Sequence, residues 1–204
     1  SYGDFLRKAG DLDEAERIER EVLRTEIRAR GTASAAAAEF RDSLALILYE
    51  QGKLAEAEAV QRAACAGYAA SLPPESQVNG LCGTSLARVL VDNGAAHAAE
   101  TLARRSLAIL RKALPARNRH VARAQSVLGY SLLAEHRLAE AEAELRACYR
   151  DIVQGFGPEA RDSVRARRWI ERLYVEIGRP DEGRRFLAEV AANLAASQGP
   201  RNIL

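Results

Sequence analysis

An all-α fold of stacked antiparallel helix pairs is what this sequence predicts, and three observations predict it. The first is a short pattern at a constant interval. Gly10-Asp11-Leu12-Asp13-Glu14-Ala15-Glu16 returns as Gly52-Lys53-Leu54-Ala55-Glu56-Ala57-Glu58, as Gly94-Ala95-Ala96-His97-Ala98-Ala99-Glu100 and as His136-Arg137-Leu138-Ala139-Glu140-Ala141-Glu142. A fifth, looser copy is Gly178-Arg179-Pro180-Asp181-Glu182-Gly183-Arg184. The leading positions 10, 52, 94, 136 and 178 are each 42 residues apart, which marks a repeat array. The second observation is composition. Apolar residues make up 48% and aromatics only 5%, and Ala, Leu, Arg and Glu are strong helix formers. The third is periodicity: apolar residues recur three and four apart, and no alternating Val/Ile/Thr pattern of a strand occurs.

Each unit divides into two helices about the repeated turn. Four residues before it stand Leu6, Leu48, Leu90, Leu132 and Tyr174. Eight before it stand Tyr2, Leu44, Leu86, Leu128 and Ile170, the buried face of a first helix, A. Seven before it come the small residues Gly3, Ala45, Ala87 and Gly129, with Glu171 as the exception. Five after it come Ala15, Ala57, Ala99, Ala141 and Gly183 on a second helix, B. Small side chains on both helices let the backbones approach closely. The Gly between them supplies a left-handed turn cheaply.

The B-to-A connections keep the same period at Gly31, Pro73, Pro115 and Gly157, with Pro74 and Pro158 beside two of them. Proline cannot extend the preceding helix but suits the first turn of the next. Helices are therefore expected near 1–9 and 12–29, 33–51 and 54–71, 75–93 and 96–113, 117–135 and 138–154, and 159–177 and 180–197. The units are 1–30, 31–72, 73–114, 115–156 and 157–198, forming one solenoid domain over 1–204. Residues 199–204 are read as a frayed tail, with Ile203 and Leu204 against the last helix. The shortened first helix A and the absence of Met predict a piece of a longer protein.

These residues resemble the tetratricopeptide repeat, whose skeleton is Leu44-Ala45 or Leu128-Gly129, Gly seven on and Ala five further. The 42-residue unit and linkers such as Phe156-Gly157-Pro158-Glu159 resemble the kinesin-light-chain kind. The resemblance implies a right-handed α-α superhelix that binds peptides along a concave groove lined by helix A. Kinesin light chain repeats carry Asn pairs where this chain has Asp42-Ser43, Thr84-Ser85 and Ser126-Val127, so that family's cargo site does not transfer. The Arg167-Arg168-Trp169-Ile170 unit looks like the closing repeat of bacterial arrays attached to Ser/Thr kinases and signalling proteins. That likeness implies a cytoplasmic module, and an alternative role as an autoregulatory or self-association domain docking on a parent catalytic domain.

The groove stripe steps three, four and three residues along helix A. It reads Glu39, Asp42, Leu46, Tyr49; then Leu81, Thr84, Arg88, Val91; then Arg123, Ser126, Tyr130, Leu133; then Arg165, Arg168, Arg172, Val175. The candidate partner-binding residues are Arg88, Arg123, Tyr130, Arg165, Arg168, Trp169 and Arg172. Arginine forks hold carboxylates bidentately and Tyr offers a rigid platform, so the expected partner is a protein or peptide of acidic character. The competing reading is a solvated face whose charges pair internally, as Arg172 with Glu176.

The remaining features argue against chemistry. Net charge is +2, too mild for a nucleic-acid surface. His97, His120 and His136 form no HxxxH or HExxH pattern, so no metal or cofactor is expected. Glu56, Glu58, Glu140 and Glu142 open B helices and read as partners of the helix N-terminus. Cys65, Cys82 and Cys148 read as small apolar side chains in helix interfaces, consistent with a reducing compartment. No apolar run reaches membrane-spanning length. The expectation is a non-enzymatic scaffold.

Overall fold

The computed structural model describes Arg7 and residues 10–197, and among these the only regular elements are helices. They are α1 (Leu12–Arg30), α2 (Ala35–Glu50), α3 (Leu54–Ser71), α4 (Gln77–Asp92), α5 (Ala96–Ala113), α6 (Arg119–Ala134), α7 (Leu138–Phe156), α8 (Arg161–Glu176) and α9 (Pro180–Ser197). Two compact units result: Ser1–Ala113 holds α1 to α5, and Leu114–Leu204 holds α6 to α9. The expected first helix over 1–9, Arg7 apart, and the tail 199–204 lie outside the described residues.

The A-to-B turns share one backbone conformation and one hydrogen bond. Gly52, Gly94 and Gly178 have φ of 77°, 86° and 73°. The next amide reaches back five residues: Lys53 N donates to Leu48 O at 2.9 Å, Ala95 N to Leu90 O at 2.8 Å, Arg179 N to Tyr174 O at 2.9 Å. This bond satisfies a carbonyl that the helix end would leave orphaned. In the fourth repeat His136 takes the same conformation at φ 59° without being glycine, and Arg137 N still donates to Leu132 O.

The A helices start two residues later than the sequence expectation. The reason is capping. Ser34, Ser76 and Asn118 precede α2, α4 and α6, and their side chains accept from Ala37 N at 3.0 Å, Val78 N at 3.3 Å and His120 N at 2.8 Å. A capping residue keeps extended backbone dihedrals, so the helix cannot begin before it. At the fourth connection Ala160 holds that position and makes no side-chain cap. In turn, α7 runs two residues beyond its expected end, to Phe156, and stops at Gly157 with φ 90°.

In the first unit Leu44, Leu48, Ala57 and Val89 form a buried cluster that Leu23, Tyr49 and Val60 flank. Ala45, Ala57, Ala87 and Ala99 are all fully buried. In the second unit the close approach is measurable. A Cβ on Gly129 would lie 2.7 Å from Leu145 Cγ, and one on Gly183 would lie 2.8 Å from the Tyr174 ring. Glu171, the exception to the small-residue rule, is exposed, so the last helix pair meets through Gly183 instead.

The B-helix glutamates do more than face a helix N-terminus. Glu16 accepts from Lys53 Nζ at 2.7 Å, Glu58 from Asn93 Nδ2 at 2.6 Å and Glu142 from Arg179 Nη2 at 2.7 Å. Each fastens one repeat to the turn of the following repeat in the same unit. Each also pairs with an Arg four residues on: Arg20 at 2.7 Å, Arg62 at 2.8 Å and Arg146 at 3.8 Å. The Lys53 ammonium, then Arg20 and Gln51, hold the Glu16 carboxyl down to about 2 against the opposing effect of burial.

The cysteine expectation holds for one residue and fails for two. Cys148 is buried, and burial pushes its thiol pKa up. Cys65 on α3 and Cys82 on α4 form a disulfide with Cα atoms 5.6 Å apart. The cysteine count therefore gives no support to a reducing compartment. No helix among the described residues is long and apolar enough to cross a membrane.

Candidate functional site

The helix A stripes differ sharply between the two units. On α4, Thr84, Arg88 and Val91 are buried, contrary to the expected exposed face. The Arg88 guanidinium lies over the Tyr49 ring, 4.5 Å from its centroid, and Tyr49 donates its hydroxyl to Asp92. Arg88 is thus packed between repeats and does not present a fork to solvent. On α2, Asp42 is half-buried and accepts from the Gln61 amide, while Glu39 is exposed.

The second unit is more open. Arg165, Arg168, Arg172 and Val175 fall on one side of α8, because residues three and four apart share a helix face. Arg168 and Arg172 are exposed, and Val175 is 67% exposed. Arg172 Nε donates to Glu176 Oε1 at 2.8 Å, the internal pair foreseen from the spacing. Asp162, at the start of α8, gathers two of the candidates: Arg165 lies 3.2 Å from it and Arg123 of α6 lies 3.9 Å from it. Arg168 has no ion pair among the described residues.

Between these arginines sits an aromatic step. Tyr130 of α6 and Trp169 of α8 stack with centroids 4.4 Å apart and planes 9° apart. Trp169 is only 8% exposed, so it supports Tyr130 from beneath and does not offer its own face. Ser126 and Leu133, also drawn on the stripe, are buried. The accessible candidates are therefore Arg123, Tyr130, Arg165, Arg168 and Arg172. Asp162 and Glu176 lie among these arginines, beside the aromatic platform.

His120 closes the floor at the start of α6. Its ring meets Phe156 edge-on at 5.9 Å. Burial lowers its pKa, and Arg123 and Arg119 lower it further, with Asp162 opposing.

Helix pairs of 42-residue period, the Gly-centred turn and small residues at the crossing are features that can be compared directly with known proteins. The tetratricopeptide repeat family model matches residues 38–77 and 82–120. Those two stretches are tetratricopeptide repeats, and the chain as a whole shares the fold of solved kinesin-light-chain-like repeat proteins. The array is similar to the nearly identical TPR-like repeats of a kinesin-light-chain-like protein of Podosopora anserina, solved in two versions. TM-scores are 0.76 and 0.74, at 20% identity over 98% of this chain and 94% of that one. It is also similar to BtubC (BKLC) from P. vanneervenii, with TM-score 0.71 and 18% identity over 99% of this chain and 80% of that one. A MamA structure follows at TM-score 0.54 and 18% identity, covering 98% of each chain. No curated protein matches the array. Tetratricopeptide arrays are scaffolds for protein–protein contact, and none of these matches indicates a catalytic family.

Proposed function

We propose that the α6–α8 face of the second unit holds an acidic segment of a partner protein. Arg168 and Arg172 are exposed on the same helix as Trp169, whose ring supports Tyr130. That arrangement carries the reading. A carboxylate on the segment takes an arginine fork bidentately, and an apolar or aromatic side chain of the segment lies against Tyr130 and Val175. Arg123 and Arg165, already drawn together by Asp162, orient the neighbouring carboxylate. Arg88 and Trp169 act as supports and make no direct contact.

The segment belongs to a separate protein or, following the likeness to bacterial signalling arrays, to a catalytic domain of the same parent chain. The test is fluorescence anisotropy with a labelled peptide alternating Asp/Glu with Phe/Leu. Charge reversal in R168E/R172E should weaken binding by about tenfold or more, the scale of one lost charged hydrogen bond. Equal affinity in the double variant, with helicity intact, would remove this reading. A steep salt slope with DNA in place of the peptide would favour nucleic acid instead.

A further inference from the structure

A second feature lies in the first unit and does not depend on the acidic-segment reading. The Cys65–Cys82 disulfide joins α3 to α4, that is, one repeat to the next. Its two sulfurs live in different surroundings. Cys82 is 3% exposed, with the Gln61 amide nitrogen 3.2 Å and Asp42 Oδ1 3.8 Å from its sulfur. Cys65 is half-buried and lines a cleft of about 340 Å³, which Cys82 does not line. Asn79, Gly83, Leu102, Arg105 and Ser106 help to form that cleft. A Cβ on Gly83 would lie 2.2 Å from Ser106 Oγ, so the absent side chain lets α4 and α5 close tightly on each other beneath the cleft. Arg105 is exposed and has no ion pair among the described residues. No carboxylate is among the described residues that line the cleft.

We propose that Cys65 is a thiol-exchange site, entered through this cleft by a small anionic thiol of the glutathione class. The incoming thiolate attacks Cys65 Sγ and forms a mixed disulfide there. The bond to Cys82 breaks, and its electron pair leaves on Cys82 sulfur, where the Gln61 amide N–H, 3.2 Å away, stabilises the developing charge against the Asp42 carboxylate at 3.8 Å. Cys82 then takes a proton from solvent. A second thiolate attacks the small thiol's sulfur in the mixed disulfide, releasing the oxidised thiol dimer and leaving Cys65 as a thiolate that takes a proton from solvent. The net change is two small thiols oxidised and one protein disulfide reduced. The same steps in reverse, with the oxidised dimer as oxidant, close the bond again. Which sulfur is attacked follows from access, and access favours Cys65. Arg105 attracts the anionic thiol and leaves a neutral one unaffected.

The test uses the whole chain with reduced glutathione and with 2-mercaptoethanol, quenched in acid, alkylated and mapped by peptide mass. The expected result is a glutathione adduct on Cys65 and an alkyl group on Cys82. Charge reversal in R105E should slow reduction by glutathione roughly tenfold at low ionic strength and leave the neutral thiol's rate alone. Should C82S fold, oxidised glutathione should load its Cys65, whereas C65S should leave Cys82 unloaded. Three reactive thiols in the denatured, air-oxidised protein would overturn the proposal. So would an adduct on Cys82, or an R105E variant with an unchanged ratio of the two rates.

Discussion

His136 occupies a conformation that its neighbours in the repeat reserve for glycine. A non-glycine residue there costs roughly 1–2 kcal/mol through its Cβ. Glycine would remove that cost and return part of it as unfolded-chain entropy. H136G should therefore raise stability by about 0.5–1 kcal/mol in urea unfolding. The exposed contact of His136 Nδ1 with Glu176, at 3.5 Å, is too weak to offset this. Two other residues set a pH response. The carboxyls of Glu16 and Glu58 are held below their ordinary value of 4.5 by Lys53 and by Asn93 with Arg62. A depressed carboxyl stabilises the fold above 4.5, and that contribution is lost as pH falls toward 2. His120 acts over a higher range. Burial lowers its pKa, so the unfolded chain binds the proton more readily below 6.5 and stability declines there. Thermal melts from pH 7 to 3 should show a shallow loss beginning near 6.5 and a steeper one below 4.5. In H120Q the shallow loss should disappear.

At the scale of the helix, the 42-residue spacing made the turns and B helices legible, since Gly and Ala mark points where no larger residue fits. The A helices start later than the apolar pattern implies because Ser34, Ser76 and Asn118 carry their information in a side-chain oxygen, outside that pattern. Their common spacing of 42 was the available signal. The stripe on α4 departs from its expected exposure for a different reason. The pattern of one helix does not show what the preceding repeat covers, and Arg88 is covered by Tyr49, one repeat earlier. The disulfide was illegible because 17 residues of separation say nothing about the crossing of α3 and α4. Helix contact also yields a packing prediction. G129V would force two methyls against Leu145, whose backbone nitrogen would lie 3.3 Å from a Cβ at position 129. The expected loss is about 1–3 kcal/mol, read from denaturant midpoints.

Across the whole molecule, two compact units carry two separate devices. The first unit is cross-linked, and the second bears the basic, aromatic face. A disulfide closing a loop of this length restricts the unfolded chain and contributes about 3 kcal/mol. Reduction should lower the unfolding midpoint of the first unit and leave that of the second nearly unchanged. Hydrogen exchange resolved by peptide, with and without reductant, would record it. Protection lost equally from α6 to α9 would argue against separate effects.

The central functional claim is that a partner seats on the α6–α8 face. Trp169 is the sole tryptophan in the sequence and lies directly under Tyr130, so it reports from the site itself. The decisive measurement is Trp169 emission during titration with the tryptophan-free acidic, aromatic peptide. A saturable change whose midpoint matches the anisotropy curve, and which R168E/R172E shifts to higher concentration, is the predicted result. Binding by anisotropy with Trp169 emission unmoved would contradict the account and place the partner elsewhere on the chain.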